Sequence, residues 1–317
     1  MSPQEVHDVY SQLVIPEDIL KENGYLYFEE EQSKRPKYKK DKWSVFSFMP
    51  DNGSFLFLKT NSLLILSDST RKCTRCSRLF NRKSTFFSPN VCRFHPLKTE
   101  NKNGVIYHSC CLKRFPSIGC QTHPSHVHQQ PSESALDQFV QAPKPVSTRD
   151  FRSNKVNLVF GLDVEMIHTE NGLEAARISL VDVNRRVMID EYIKPEGKIV
   201  HLNTEFSGIK SFHLEKAKSL EQIHNLLFQF MNRSSVLVGH GLSNDLKVLR
   251  LVHLNVIDTA LLIRSENGNM QSLKTIAKSY LNENIQWKEG GHDSVEDSIT
   301  CLRIVEKLIH VLIQPIY

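Results

Sequence analysis

The sequence predicts an α/β fold for the C-terminal half of the chain, with a mixed sheet flanked by helices. Three observations predict it. Three apolar, strand-like runs follow one another between Val156 and Ile193, which is typical of an antiparallel meander. Helical and strand-like patterns alternate after that meander. The chain is 40% hydrophobic without an apolar run of about 18 residues, so we expect a globular core and no membrane partner.

Residues 1–70 are predicted to form an N-terminal helical and strand region. Two short helices are expected between residues 3 and 23, divided at Pro16 and stopped at Gly24. Residues 54–67 alternate apolar and polar side chains, as strands do. The first residues lack the basic and apolar segments of a secretory signal, so we expect a protein that is not secreted.

Charge is distributed unevenly along the chain. Residues 1–30 hold one Lys against seven acids (−6), and residues 31–120 hold 18 Lys and Arg against 5 acids (+13). Residues 121–317 hold 21 against 23 (−2). The basic middle favours a polyanionic partner, nucleic acid first, although a solvated basic face without a partner is the alternative. The basic run at residues 34–40 is a candidate nuclear localisation signal or phosphate contact, and the alternative is a charged loop.

Residues 71–128 are predicted to form a small zinc-binding module, here called the cysteine module. Six of the seven cysteines lie between Cys73 and Cys120. Without a secretion signal, clustered cysteines favour a metal over disulfides, and thiolate with imidazole suits tetrahedral zinc. Eight residues would fill two structural Zn²⁺ sites: Cys73, Cys76, Cys92, His95, Cys110, Cys111, Cys120 and His126.

The pairing of these eight ligands is left open by the sequence. Adjacent Cys110 and Cys111 would point apart in an extended segment, which would allow them to serve different ions. The spare histidines His108, His123 and His128 are expected to be exposed. Closed four-ligand sites are structural, and modules of this kind bind RNA, DNA or protein.

Residues 129–155, rich in Pro, Ser and Gln, are predicted to form a linker to a second domain at 156–317. In that domain we expect a buried strand at 235–241 and a further strand at 255–263. Helices are expected at 219–231 with Ser219 as N-cap, from 243, at 272–281 and at 294–312.

Four acids and one histidine in the second domain form a candidate catalytic group. Asp163 and Glu165 lie two positions apart on one predicted strand, so their side chains share a face. Two neighbouring carboxylates beside a core are energetically costly unless a cation joins them. The alternative is a strand that ends before Asp163, with both acids solvated. Asp245 lies near the start of a helix, and Asp297 opens the last long helix with His292 just before it.

This combination closely resembles the DEDDh 3′→5′ exonucleases of the RNase H-like superfamily, and among them the eukaryotic, Rex-type RNA exonuclease family. The matching stretches are FGLDVEM, FSGI (206–209), VGHGLSNDLKVL, VIDTALL (256–262), SLKTIA (272–277) and GGHDSVEDSITCL. The resemblance covers residues 156–310, and the cysteine block and IPEDILKENGY resemble segments upstream in larger members. Val164 departs from the family, which usually has Cys there, but its side chain should face away from the acids.

The resemblance implies an RNase H-like mixed sheet and two-metal hydrolysis of single-stranded RNA 3′ ends to nucleoside 5′-monophosphates. The ligands of two Mg²⁺ or Mn²⁺ ions would be Asp163, Glu165, Asp245 and Asp297. His292 would act as general base, which suits its ordinary pKa of about 6.5. Met166 stands where relatives contact the terminal base, and a core methionine is the alternative. A role in RNA 3′-end processing in the nucleus is expected.

Two other functions compete. The same site could act on DNA, since the side chains that detect a 2′-OH cannot be placed from sequence. The chain could also be a zinc-containing RNA- or protein-binding protein with a silent nuclease fold. All five catalytic positions are filled, which favours an enzyme.

Overall fold

The computed structural model describes residues 2–30, 33, 35–37, 70–81, 91–97, 99–129, 133–145, 158–286 and 291–312. The strands predicted at 54–67 lie outside these residues, as does part of the basic run at 34–40. Among the described residues, no helix combines the length and apolar composition that a bilayer crossing requires.

The elements are numbered along the chain. The helices are α1 (Pro3–Ser11), α2 (Glu17–Glu22), α3 (Thr204–Ser207), α4 (Leu220–Phe230), α5 (Leu242–Val248), α6 (Thr259–Leu262), α7 (Leu273–Leu281) and α8 (Ser294–Leu312). The first strands are β1 (Thr70–Lys72), β2 (Leu79–Asn81), β3 (Cys92–Phe94), β4 (Thr99–Lys102), β5 (Val105–His108), β6 (Gln121–His123) and β7 (Val140–Gln141). The later strands are β8 (Val159–Thr169), β9 (Gly172–Asp182), β10 (Val187–Tyr192), β11 (Ile199–His201), β12 (Val236–Gly239), β13 (Leu251–Val252) and β14 (Val256–Asp258).

A six-stranded sheet organises residues 158–312, here called the sheet domain. Its order is β10-β9-β8-β12-β14, and β11 also pairs with β8. Strands β8, β9 and β10 form the expected antiparallel meander, whereas β12 pairs in parallel with both β8 and β14. The predicted mixed sheet with flanking helices is therefore confirmed.

Helix boundaries follow from local chemistry. The Ser219 side chain accepts a hydrogen bond from the backbone N–H of Gln222, which caps α4 as predicted. Ser272 caps α7 in the same way through Thr275. The strand predicted through residue 263 ends earlier, because the Asp258 carboxylate accepts from the backbone N–H of Ala260 at 3.0 Å and starts α6.

The alternation of side chains along β8 divides the core in two. Phe160, Leu162 and Val164 pack in the core that contains residues of α4 and α5. Val159 packs in the second core, with residues of α7 and α8. Gly161 lets α8 approach closely, because a Cβ there would lie 2.7 Å from the Ser298 carbonyl oxygen. Helices therefore cover both faces of the sheet.

The N-terminal helices, predicted in a separate region at 1–70, pack on the sheet domain. Tyr10 of α1 belongs to the second core, and Leu20 of α2 belongs to the first. The backbone N–H of Ile15 donates to the carbonyl of Val256 at 3.0 Å. Tyr25 is 1% exposed, and its hydroxyl donates to Asp258 Oδ2 at 2.6 Å. The IPEDILKENGY segment thus supports the sheet through its buried residues Ile15, Leu20 and Tyr25.

Part of the predicted linker 129–155 also packs on the sheet domain. A 3₁₀ helix spans Glu133–Gln138, and β7 pairs in parallel with β13. Phe139 and Ala142 are buried. Composition suggested a connector, but apolar residues spaced within this Pro-rich stretch attach it to the surface of the domain.

Candidate functional site

Two of the candidate acids lie on β8, on the face that α8 covers. Asp163 pairs with Ser179 of β9, and Glu165 pairs with Arg177. The register of this pairing shifts between Glu165 and Met166, as at a β-bulge. The alternative in which the strand ends before Asp163 is wrong, because β8 continues to Thr169.

Asp245 reaches the same strand from α5. Strand β12 ends at Gly239, and α5 follows it. The backbone N–H of Val164 on β8 donates to Asp245 Oδ1 of α5 at 3.1 Å. Gly241 caps α5 with a left-handed φ of 72°, a conformation that suits glycine. Its N–H donates to Asp258 Oδ1 at 2.8 Å, so the Tyr25–Asp258 pair holds the turn from which α5 starts.

Asp297 and His292 come from the start of α8 and the loop before it. Asp297 is 3% exposed and accepts from Gln286 Nε2 at 2.8 Å. His292 is half-exposed, with Nδ1 at 3.8 Å from Asp297 Oδ2. These two groups therefore lie side by side, with the imidazole toward solvent.

The FSGI segment holds the loop that carries His292. The backbone N–H of His292 donates to the carbonyl of Phe206 at 2.7 Å. Gly291 has a φ of 97°, and a Cβ there would lie 2.2 Å from the Gly208 nitrogen. Only glycine permits this close backbone contact.

Burial raises the pKa of all four carboxyl groups, and nearby carboxylates raise each pKa further. Burial, followed by repulsion from Asp297, raises the pKa of Glu165 to about 9. Burial raises the pKa of Asp245 to about 8 and that of Asp297 to about 7. The pKa of Asp163 is held well above its ordinary value by burial and by the other three carboxylates. Burial lowers the pKa of His292, so the imidazole is neutral at pH 7.

The oxygens of this group fit a divalent cation. Among the described residues, Glu165 Oε1 and Asp297 Oδ1 are buried without a hydrogen-bond partner. Buried carboxylates without partners are costly, and hard oxygen ligands of this kind suit Mg²⁺ or Mn²⁺. Divalent cations bound to these oxygens would satisfy them and weaken the repulsion that raises the pKa values of Asp163 and Glu165.

Stabilisation by Mg²⁺ should therefore depend on pH. A carboxyl group with a raised folded-state pKa stabilises the metal-free fold below its unfolded pKa of about 4. That contribution is lost as the pH rises through the folded values of about 7 to 9. Mg²⁺ binds the deprotonated form. We expect the Mg²⁺-induced rise in Tm to be about 5 °C larger at about pH 8.5 than at about pH 6.

Differential scanning fluorimetry with and without excess Mg²⁺ measures this difference. Acidification also destabilises the fold through buried histidines with lowered pKa values, such as His253. This effect is the same with and without Mg²⁺. The Glu165→Gln variant should lose most of the Mg²⁺ effect. Equal Mg²⁺ shifts at both pH values would contradict a carboxylate metal site.

Two residues around the site have no signal in the sequence. Gln286 reaches Asp297 from a loop where its φ is 54°. Arg177 faces Glu165 through strand pairing, and it forms ion pairs with Asp190 and, at 3.2 Å, with the exposed Asp293. Only the register of β8 against β9 could have identified Arg177.

Met166 is partly buried and packs against the first core, next to the acids on β8. Cys301, the one cysteine outside the cysteine module, is buried in the second core. Asp258 has a structural role, because it caps α6 and accepts the Gly241 N–H in the turn before α5.

The eight cysteine-module candidates lie in two groups of four. The ligand atoms of each group lie within 4.8 Å of one another. The first group, here cluster 1, is Cys73, Cys76, Cys92 and His126, and cluster 2 is His95, Cys110, Cys111 and Cys120. Cluster 2 is nested in sequence within cluster 1, and β3 leads from one to the other.

Distances within both groups match a tetrahedral ion. The Sγ atoms of Cys73 and Cys92 are 3.7 Å apart, and those of Cys110 and Cys120 are 3.5 Å apart. Ligands at about 2.3 Å from a zinc ion would be separated by roughly 3.8 Å. Both sets of donors therefore fit Zn²⁺.

Two expectations for the cysteine module are wrong. Cys110 and Cys111 belong to one cluster, because they lie in a turn after β5, where adjacent side chains can point the same way. His108 and His128 are buried rather than exposed. His108 stacks on His95 of cluster 2 at 3.5 Å between ring centroids, and His128 lies near Phe80.

Comparison with known proteins gives consistent matches. The exonuclease family model matches residues 160–305. RNA exonuclease 3 of Eremothecium gossypii is 30% identical over 317 residues, covering 96% of this chain and 73% of the relative. Exonuclease GOR of Pan troglodytes is 33% identical over 310 residues, covering 94% of this chain and 41% of the relative.

Some relatives are much longer than this chain. The Caenorhabditis elegans relative pqe-1 is 36% identical over 250 residues, which cover 75% of this chain and 15% of that protein. The chain thus spans less than half the length of pqe-1 and of GOR.

Proposed function

The chain belongs to the Rex-type, RNase H-like RNA exonuclease family, and from this premise we propose that it is a 3′→5′ exoribonuclease. It would hydrolyse phosphodiester bonds at RNA 3′ ends and release nucleoside 5′-monophosphates. One observation carries the proposal: four carboxylates from β8, α5 and α8 repel one another beside a neutral imidazole. Such a site suits metal-dependent phosphodiester hydrolysis.

The side chains have distinct roles in this mechanism. Asp163, Glu165, Asp245 and Asp297 would hold two Mg²⁺ or Mn²⁺ ions. When bound, such ions activate the attacking water and stabilise the leaving oxygen. His292 takes the proton of that water, because its lowered pKa keeps it neutral and its half-exposed ring can reach solvent.

The bond changes follow directly. The water oxygen bonds to phosphorus, and the bond from phosphorus to the 3′-oxygen of the preceding nucleotide breaks. That 3′-oxygen leaves with a proton, and the terminal nucleotide leaves as its 5′-monophosphate. The shortened RNA again ends in a 3′-hydroxyl, so the cycle can repeat.

Clusters 1 and 2 are proposed to hold one structural Zn²⁺ each. All four donors of each cluster come from the chain, which leaves no position for substrate. The polar, basic cysteine module has a small apolar core of its own, centred on Cys73, Phe80, Cys92 and Val127. Metal binding would therefore supply much of its folding free energy.

The basic charge of residues 31–120 supports RNA as the polyanion that this enzyme meets. Single-stranded RNA 3′ ends are the proposed substrate, and RNA 3′-end processing is the proposed role. Nuclear localisation is proposed from the family and from the basic run at 34–40.

A digest of labelled oligonucleotides tests the function. With Mg²⁺, a 5′-labelled RNA with a free 3′-hydroxyl should shorten stepwise, and the matched RNA with a 3′-phosphate should resist. Faster loss of the DNA of the same sequence would favour a DNA exonuclease. Binding of RNA without any product from either substrate would favour a silent nuclease fold.

A further inference from the structure

Cluster 1 lies directly against the sheet domain through Arg75. This arginine stands between the ligands Cys73 and Cys76. Its Nη2 donates to His201 Nδ1 at 2.9 Å, and its guanidinium lies 4.9 Å from the centre of the Phe94 ring. The turn that would hold a metal ion thus contacts strand β11 through the planar guanidinium of Arg75, which carries several N–H donors.

His201 holds the turn that leads into α3. It stands on β11 opposite His168 of β8. Its Nδ1 also accepts the backbone N–H of Asn203 at 3.0 Å, so this nitrogen carries no proton. Asn203, with a left-handed φ of 58°, is the N-cap of α3. Arg75 therefore binds the atom that closes the turn into α3.

The segment from His201 to Ile209 is a compact unit. Thr204 Oγ1 donates to the Ile209 carbonyl at 2.6 Å, and Ser207 Oγ donates to the Leu202 carbonyl at 2.9 Å. These hydrogen bonds join the two ends of the segment that contains α3 and the FSGI stretch. A displacement at His201 would therefore be carried through the unit rather than absorbed within it.

The opposite side of this unit contacts the loop of His292. The Phe206 carbonyl accepts the His292 N–H at 2.7 Å, and Gly208 packs on Gly291. One continuous set of contacts thus joins cluster 1 to the backbone of the proposed general base. The contacts are Arg75 to His201, His201 to α3, and Phe206 to His292.

We propose that Arg75 is a positioning residue for His292, acting through His201 and α3, an inference that rests on the proposed function. Metal in cluster 1 fixes the turn between Cys73 and Cys76 and so aims the guanidinium at His201. Glu205 of α3 adds electrostatic attraction for the same guanidinium. The cysteine module is then part of the catalytic architecture and not only a surface for RNA.

The test uses the full zinc-loaded chain and three variants: Arg75→Ala, His201→Ala and the double variant. Backbone hydrogen exchange reports the order of residues 202–209 and 291–297. We expect faster exchange in both segments for each single variant. The double variant should exchange no faster than the faster single variant, because both substitutions remove the same contact. On a short RNA, kcat should fall about tenfold while KM stays within about twofold.

Arg78→Ala is the matched control. Arg78 is an exposed arginine of the same module, so this variant has an equal loss of positive charge. It should leave exchange and kcat at wild-type values. Zinc content, measured by metal analysis, must stay the same in all variants, and His201→Ala tests the contact without altering the cysteine module.

Three results would overturn the proposal: unchanged exchange at 291–297 in Arg75→Ala and His201→Ala, additive effects in the double variant, or a loss of kcat equalled by Arg78→Ala. The exchange arm separates this inference from the function. If wild-type protein fails to cleave RNA, the proposed function fails, whereas the exchange data still decide whether Arg75 orders the His292 loop.

Discussion

Replacing Asp163 by asparagine is expected to lower kcat on an RNA oligomer at least about 10³-fold while the fold remains intact. Asparagine has nearly the volume of aspartate but removes one negative ligand from the proposed metal pair. It also removes a charge that three other carboxylates repel. The metal-free variant should therefore melt at or above the wild-type temperature, so lost activity would not reflect unfolding.

The measurements are single-turnover cleavage, Mg²⁺ binding by calorimetry and thermal melting. Asp293→Asn is the control, because Asp293 is an exposed acid near the same site and should tolerate the change. Cleavage by Asp163→Asn within about tenfold of wild type, with Mg²⁺ affinity unchanged, would remove Asp163 from the metal site.

Replacing His292 by alanine is expected to lower kcat about 10²- to 10⁴-fold at neutral pH, with Mg²⁺ binding retained. Burial lowers the pKa of this imidazole, so the wild-type base is already neutral at pH 7. Wild-type kcat at saturating Mg²⁺ should fall as the pH drops through that pKa, below about 6.5. In the variant this acid limb should disappear, and the rate should keep rising with hydroxide concentration.

The pH profile separates a base from a structural residue. His310→Asn, which changes an exposed histidine at the far end of α8, should leave both kcat and the acid limb unchanged. An acid limb that persists in His292→Ala would assign the proton transfer to another group.

Much of the fold could be predicted because it depends on local periodicity. Alternation along β8 placed Asp163 and Glu165 on one face and Val164 on the other. Helical spacing located α4, α7 and α8, and Ser219 marked the N-cap of α4. The types and spacing of cysteines and histidines were enough to select the eight residues that form two clusters.

Other features could not be predicted, since they depend on contacts between distant segments. The N-terminal helices were predicted in a region of their own, but Tyr25 donates to Asp258 of the sheet domain. The predicted linker contains a strand that pairs with β13. Cys110 and Cys111 share cluster 2 because they lie in a turn, and their local sequence does not predict that turn.

By itself, the sequence determined which residues are candidates for catalysis and metal binding, because acids, thiols and imidazoles are chemical identities and strand or helix period is a local property. Tertiary structure alone decided which of them meet. The convergence of Asp245 and Asp297 on β8, the pairing of metal ligands and the path from Arg75 to His292 all depend on how separate elements pack. Packing decides them because a carboxylate's pKa and a ring's orientation respond to neighbours within a few ångströms in space, whatever their separation along the chain.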